Sequence, residues 1–258
     1  MRGDLKALCL VFSLAAFAGA GDARSDPPRR IVSLNLCTDQ LLVDLVPREK
    51  IAAVSFLATD KTLSAFAGKL QGLRQVRGTA EEVLALAPDL VIAGEYTTGP
   101  TVDLLKRLGV NVLVVPLATS FQGMKDTLRT LAQATGETAR GEAIIADFET
   151  RLDEARSVVP ARPTAIAYQV NSLASGADTL LDAALEAAGF RNIARDIHLG
   201  PAGRLPLEEL VAAPPDLIVL ANGAADFKTV LADNLRHPAF TALLQKRLHV
   251  HLPMPLWM

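Results

Sequence analysis

Apolar positions recur along this chain in two alternating rhythms. Short unbroken aliphatic runs, the mark of strands buried on both faces, fall at residues 31–34, 51–55, 90–93, 111–115, 164–168, 217–220 and 248–252. Between most of them apolar residues return every three or four positions, the period of helices that bury one face. Helices are predicted at 39–46, 63–70, 100–108, 179–188, 227–235 and 238–244, with Thr38 as the N-cap of the first. Such alternation builds βαβ units and parallel sheets. One pattern comes twice, EEVLALAPDLVIA at 81–93 and EELVAAPPDLIVL at 208–220, with six of thirteen positions identical. Each copy reads as an acidic helix start, a short helix, a Pro-Asp stop and a buried strand. Thr79 and Glu82 fit a capping box before the first copy, and Pro206 opens the second. Two distant copies indicate two similar lobes rather than a repeat array.

The middle of the chain breaks the alternation. Residues 120–159 carry no strand rhythm, and helices are predicted at 121–135 and 137–158. A helix of about 22 residues reaches roughly 33 Å, the length of a bridge between lobes rather than of a compact crossover. The expected fold is α/β: two Rossmann-like parallel-sheet lobes joined by a single long α-helix. The first lobe spans 21–119, the helical segment 120–160 and the second lobe 161–258. Within the second lobe, 169–178 reads as a polar turn and 191–205 as irregular.

Residues 1–20 change the picture of where the protein works. Arg2 and Lys6 precede a twelve-residue apolar core at 7–18, too short to span a bilayer. Ala18-Gly19-Ala20 follows as a small-residue cleavage site, so a cleaved secretory signal and a periplasmic location are expected. Its removal takes Cys9 and leaves Cys37 alone, which precludes an intrachain disulfide. Half the residues are apolar, enough for two cores without staples. The net charge of −2, with no basic run, argues against nucleic acid as a partner. A monomer is expected.

Catalytic signatures are missing. No G-x-G-x-x-G, G-x-x-x-x-G-K-[ST], G-x-S-x-G or H-E-x-x-H occurs, so no catalytic residue is assigned and the chain is read as a non-enzyme. Cys37 reads as a small residue near the cleft rather than a nucleophile. All four histidines, His198, His237, His249 and His251, lie in the second lobe, whereas a bare metal ion held between lobes draws imidazoles from both. His249 and His251 share one face of a strand. With no third ligand nearby in sequence, they read as strand surface, and no metal site is assigned.

Ligands of open parallel sheets bind beyond the carboxyl ends of the strands. That rule selects the loops at 35–39, 56–60, 77–79, 95–98, 168–172 and 221–225, and the stretch after 252. The candidate ligand contacts are Asn35, Thr38, Asp39, Arg77, Tyr96, Tyr168, Asn171 and Trp257, together with Arg204, which sits before the second copy of the repeat as Arg77 sits before the first. Glu81 and Glu208 admit two readings: acids placed by the helix dipole, or matched contacts for a symmetric basic partner.

Together the segments at 30–42, 81–94, 104–115, 179–194 and 205–220 resemble the substrate-binding proteins of ABC importers for vitamin B12 and iron complexes, over essentially the whole chain after the leader. The resemblance implies a ligand in an interlobe cleft and little hinge motion. It also implies that Glu81 and Glu208 dock on arginines of a permease dimer. Relatives continue past the final strand with a Gly-rich turn and a last helix, so the second lobe is expected to be truncated at Met258. Heme-binding relatives place a tyrosine iron ligand just ahead of the first repeat helix, in the region where this chain has Arg77, which disfavours heme; a ferric siderophore or a corrinoid is the expected metal-chelate ligand, with no resident cofactor. Arg77 and Arg204 suit an anionic siderophore; Tyr96, Tyr168 and Trp257 suit the flanks of a corrin ring. The alternatives are a secreted two-lobed enzyme and a transport protein for free Zn²⁺ or Mn²⁺.

Overall fold

The structure is a computed structural model and describes residues 26–97, 99–156, 161–220 and 232–253. The leader at 1–20, the loop at 221–225 and Trp257 lie outside the described residues. Among the described residues, no helix is long and apolar enough to cross a membrane.

The first lobe is a five-stranded parallel sheet. Its strands are β1 (Ile31–Ser33), β2 (Ile51–Ser55), β3 (Gln75–Val76), β4 (Leu90–Gly94) and β5 (Val112–Val115), in spatial order β3-β2-β1-β4-β5. Successive side chains enter opposite cores. Ile31, Leu90 and Ile92 pack with Leu42, Leu45, Leu128, Leu131 and Ile145 on one face, while Val32 and Val91 pack with Val83 and Leu105 on the other. The helices are α1 (Leu36–Leu45), α2 (Ala67–Leu70), α3 (Ala80–Leu84) and α4 (Gly99–Arg107). The predicted N-cap Thr38 is corrected to Asn35. The Asn35 carboxamide oxygen accepts the N–H groups of Cys37 at 2.9 Å and Thr38 at 3.4 Å, so the helix starts three residues earlier than its apolar rhythm indicates.

The helical segment follows as α5 (Phe121–Thr135) and α6 (Thr138–Ala155). Ser120 caps α5, and Gly136 ends it with φ 77°. The two helices cross closely: a Cβ on Gly141 would stand 2.5 Å from that of Ala132. Eighteen residues make α6 about 27 Å long, shorter than the expected 137–158. It is not a free-standing bridge along its whole length. Ile145 enters the first lobe's core, Lys50 binds Glu137 at 2.6 Å, and Arg140 donates to the Asp44 carbonyl.

The second lobe holds β6 (Thr164–Tyr168), β7 (Leu173–Ser175), β8 (Arg191–Asn192), β9 (Ala202–Arg204), β10 (Leu217–Leu220) and β11 (Leu248–His251). Its main order is β11-β10-β6-β7-β9. The positions match those of the first lobe, except that β7 runs antiparallel to both β6 and β9 where β2 runs parallel. The expected polar turn at 169–178 and irregular stretch at 191–205 are therefore corrected to short sheet elements. Three-residue strands amid Asn, Ser and Gly leave no period-2 signal to read. Helices α7 (Leu180–Ala187), α8 (Leu207–Ala212), α9 (Asp233–Arg236) and α10 (Pro238–Leu244) complete the described part.

The duplicated stretch does the same work in each lobe. α3 and α8 lead into β4 and β10, which pair in parallel with β1 and β6. The aspartate of each Pro-Asp clasps the start of that partner strand. Asp89 accepts the N–H groups of Arg29 at 2.7 Å and Arg30 at 3.0 Å; Asp216 accepts the N–H and hydroxyl of Thr164, both at 2.8 Å. These bonds hold the Asp216 carboxyl below its ordinary pKa. The second lobe has one further buried tie. Asp182, 1% exposed, accepts from Asn192 at 3.0 Å and from Arg195 at 2.6 Å, pinning the turn after β8 to α7.

Candidate ligand-binding site

In the first lobe the strand order reverses between β1 and β4, where open α/β sheets form a crevice. Gly94 ends β4 and Asn35 follows β1, and a Cβ on Gly94 would lie 2.8 Å from the Asn35 side-chain amide nitrogen. Only glycine allows that approach, and Asn35 is committed to capping α1. The neighbouring strand ends carry the exposed chemistry. Phe56 follows β2 and Arg77 follows β3, with the guanidinium 5.3 Å from the Phe56 ring centre. The Arg77 N–H donates to Glu82 at 2.8 Å, and Glu82 also closes the α3 capping box with Thr79, so that turn is fixed from both sides. Tyr96, after β4, is 79% exposed, and Phe56 is 44% exposed. Glu95 accepts the Leu117 N–H at 3.2 Å.

Beneath this surface lie two of the expected ligand contacts, and their placement is corrected. Thr38 is 1% and Asp39 0% exposed, so neither offers a surface to a ligand. The first turn of α1 tucks under the ends of β1 and β2. There the Thr38 hydroxyl meets that of Ser33 at 2.7 Å. The Asp39 carboxylate accepts the Ser55 hydroxyl at 2.5 Å and its N–H at 3.2 Å. Burial pushes the Asp39 pKa up to about 6, against the opposing pull of hydrogen bonds from Ser33 and Ser55. Cys37 is exposed, yet its thiol pKa is raised, first by the protein packed around it and then by Asp39. That environment is the reverse of one that activates a nucleophile.

The second lobe presents a groove of about 350 Å³ at the matching edge, lined by Ser172, Arg204, Leu207, Glu208, Asn234 and His237 among others. Asn171 and Ser172 both have φ 57°. The Asn171 N–H donates to Asn234 at 3.1 Å, Asn234 donates to the Gln169 carbonyl at 2.9 Å, and Arg204 donates to the Asn171 carboxamide oxygen. The His237 Nδ1 accepts the Ala239 N–H at 3.2 Å and caps α10. Tyr168 is corrected from ligand contact to core. It is 0% exposed, its hydroxyl reaches Ser172 at 3.1 Å, and its ring packs 5.5 Å from that of Phe240.

The structure thus gathers Asn35, Arg77 and Tyr96 at one lobe's edge and Asn171 and Arg204 at the other's. Sequence reasoning missed Phe56, Asn234 and His237 as site residues. Phe56 stood within a selected loop and its aromatic ring was the available signal; Asn234 and His237 arrive from α9 and its end, which no strand-end rule reaches. Glu81 and Glu208 are each the second residue of their helix, both exposed, and neither is ion-paired among the described residues. Among the described residues no group of three His, Cys, Asp or Glu is placed to hold a metal ion.

Two α/β lobes in chain sequence through a helical segment, with polar side chains at the strand ends of both and aromatic ones at those of the first, define a two-lobed binding protein. The periplasmic binding protein family model matches residues 31–249, and the chain belongs to that family. A cobalamin-binding protein of Halobacterium salinarum is 30% identical over 197 residues, covering 74% of this chain and 53% of that protein. The chain spans about half the length of that relative. The periplasmic heme-binding protein RhuT of Roseiflexus sp. RS-1, in apo form, aligns with TM-score 0.70 at 25% identity, covering 86% of this chain and 89% of that one. A possible iron-binding periplasmic solute-binding protein of Staphylococcus epidermidis aligns with TM-score 0.71 at 19% identity, covering 88% and 91%, a likeness of fold. Each of these relatives is named for the ligand or solute it binds.

Proposed function

We propose that this chain is the solute-binding component of an ABC importer, working outside the cytoplasm as a monomer without catalysis. Its ligand is a metal chelate, and a corrinoid fits ahead of a ferric siderophore. The observation that carries this reading is the composition of the two strand-end surfaces. The first lobe offers exposed aromatic faces beside a stacked arginine, Phe56, Arg77 and Tyr96. The second offers an arginine among carboxamides, Arg204 with Asn171 and Asn234. A corrinoid pairs a broad flat ring with peripheral amides and a phosphate, and each has a partner here. The cobalamin-binding relative at 30% identity supports the same choice. The second reading, an anionic ferric siderophore, is favoured by the two arginines alone. In this reading the leader at 1–20 exports the chain, and Glu81 and Glu208 seat it on a permease dimer.

The first check is what the protein carries. Protein purified from the periplasm is expected to bring with it the absorbance and mass of a corrinoid or an iron chelate. Tightly held bare Zn²⁺ or Mn²⁺ in place of a chelate would overturn the reading.

A further inference from the structure

We propose that His249 and His251 form a surface site for a late first-row divalent transition metal. β11 pairs in parallel with β10 over four residues, His249 opposite Ile218 and His251 opposite Leu220, so a rigid ladder sets the spacing of the two side chains. The two-residue period puts both imidazoles on one face. Every residue of β11 is exposed, so neither ring has to leave a packed environment to meet an ion. The ring centres stand 6.1 Å apart at 86° to one another, a span that two nitrogens can share across one ion at ordinary metal–nitrogen distances of about 2.0–2.1 Å.

A second, independent contact supports the assignment. The His249 Nδ1 lies 3.4 Å from the Arg247 carbonyl oxygen. In the tautomer whose Nδ1–H is directed at that carbonyl, the Nε2 lone pair is left for the metal. The nearby cation is turned toward an acid, with the Arg247 guanidinium 3.8 Å from the Asp216 carboxylate. Among the described residues no third His, Cys, Asp or Glu completes the set, so water fills the remaining positions. Two imidazoles and water rank the ions Cu²⁺ first, then Ni²⁺, then Zn²⁺, and do not suit Mg²⁺ or Ca²⁺. Only neutral imidazole ligates, so binding weakens in acid.

The test uses untagged mature protein titrated calorimetrically with Cu²⁺ and Ni²⁺ beside His249→Asn, His251→Asn and the control His198→Asn. The wild type and the control are expected to bind one ion alike. Each strand variant is expected to lose affinity at least about tenfold, the scale that even an indirect partner of a metal ligand carries. The EPR spectrum of the Cu²⁺ form is expected to show two equatorial imidazole nitrogens. Binding that survives both strand variants, or a spectrum with one nitrogen or none, would overturn the proposal. Both substitutions are on an exposed edge strand, and unchanged circular dichroism separates loss of the site from loss of the fold.

Discussion

Reversing both lobe glutamates, Glu81→Lys with Glu208→Lys, is expected to weaken docking on the permease on the order of a hundredfold while leaving the fold in place. Each carboxylate sits in the first turn of its helix, exposed and without an ion pair among the described residues. A lysine there meets the positive end of the helix dipole at a cost of about 0.3–1 kcal/mol, too little to unfold a lobe. At an interface the change is larger. Close charge pairs across protein interfaces couple by about 1.5–7 kcal/mol, and a like charge in place of a partner costs several more. One reversal therefore weakens docking by about tenfold or more, and the pair by on the order of a hundredfold. Removing the charges with alanine has a smaller effect than reversing them, and docking of the wild type falls as salt rises. Stimulation of the reconstituted transporter's ATPase, measured against protein concentration, reads all three. Equal stimulation by wild type and double reversal would sink the docking role of this duplicated pair.

Asp39→Asn is expected to stabilise the protein at pH 7.5 and to do little at pH 4. Burial raises the folded-state pKa from 3.8 to about 6. Below the lower value the carboxyl is protonated folded or unfolded, and its ionisation costs the fold nothing. Between the two the unfolded chain ionises first, so stability falls as pH rises, and above about 6 the full penalty is present. The difference corresponds to about 3 kcal/mol. Asparagine keeps an acceptor for the Ser55 N–H and carries no charge, so it recovers roughly 1–3 kcal/mol at pH 7.5 once the weaker bond to Ser55 is counted. Asp39→Ala behaves differently: it orphans the buried Ser55 groups, so it is expected to lose about 1–3 kcal/mol at pH 4 and to come out near even at pH 7.5, where losing the charge offsets the orphaned groups. Urea unfolding of the three proteins at the two pH values checks the pattern. Destabilisation by Asn at pH 7.5 larger than at pH 4 would show that the ionised carboxylate stabilises the fold instead.

The placement of these two aspects in the sequence was unequal. The repeat at 81–93 and 208–220 was legible because it carries its own physics: capped start, apolar helix face, Pro-Asp stop and a run buried on both faces. The structure adds a role that no pattern announces, since Asp89 and Asp216 clasp strands some sixty and fifty residues away in sequence. Strand ends were legible too, and the loops they select do hold Arg77, Tyr96 and Asn171, while Arg204 was found by its place before the second copy of the repeat. Depth was not legible. Thr38, Asp39 and Tyr168 are polar residues in those loops, yet each points inward to a local partner, Ser33, Ser55 or Ser172, and residue type alone does not distinguish a satisfied buried group from an exposed one. The β7 and β9 pair was missed for a different reason. Three-residue strands draw their stability from the ladder they join, and nothing in Leu173-Ala174-Ser175 shows that ladder in advance.

The binding claim is tested most directly by visible absorbance titration of ligand-free protein with cyanocobalamin, and in parallel with a ferric trihydroxamate. One equivalent of the corrinoid is expected to saturate the protein unchanged in mass, with affinity reduced on the order of tenfold or more when Arg77 and Arg204 are both alanine. No spectral change with either chelate, or conversion of the chelate to a product, would contradict the account.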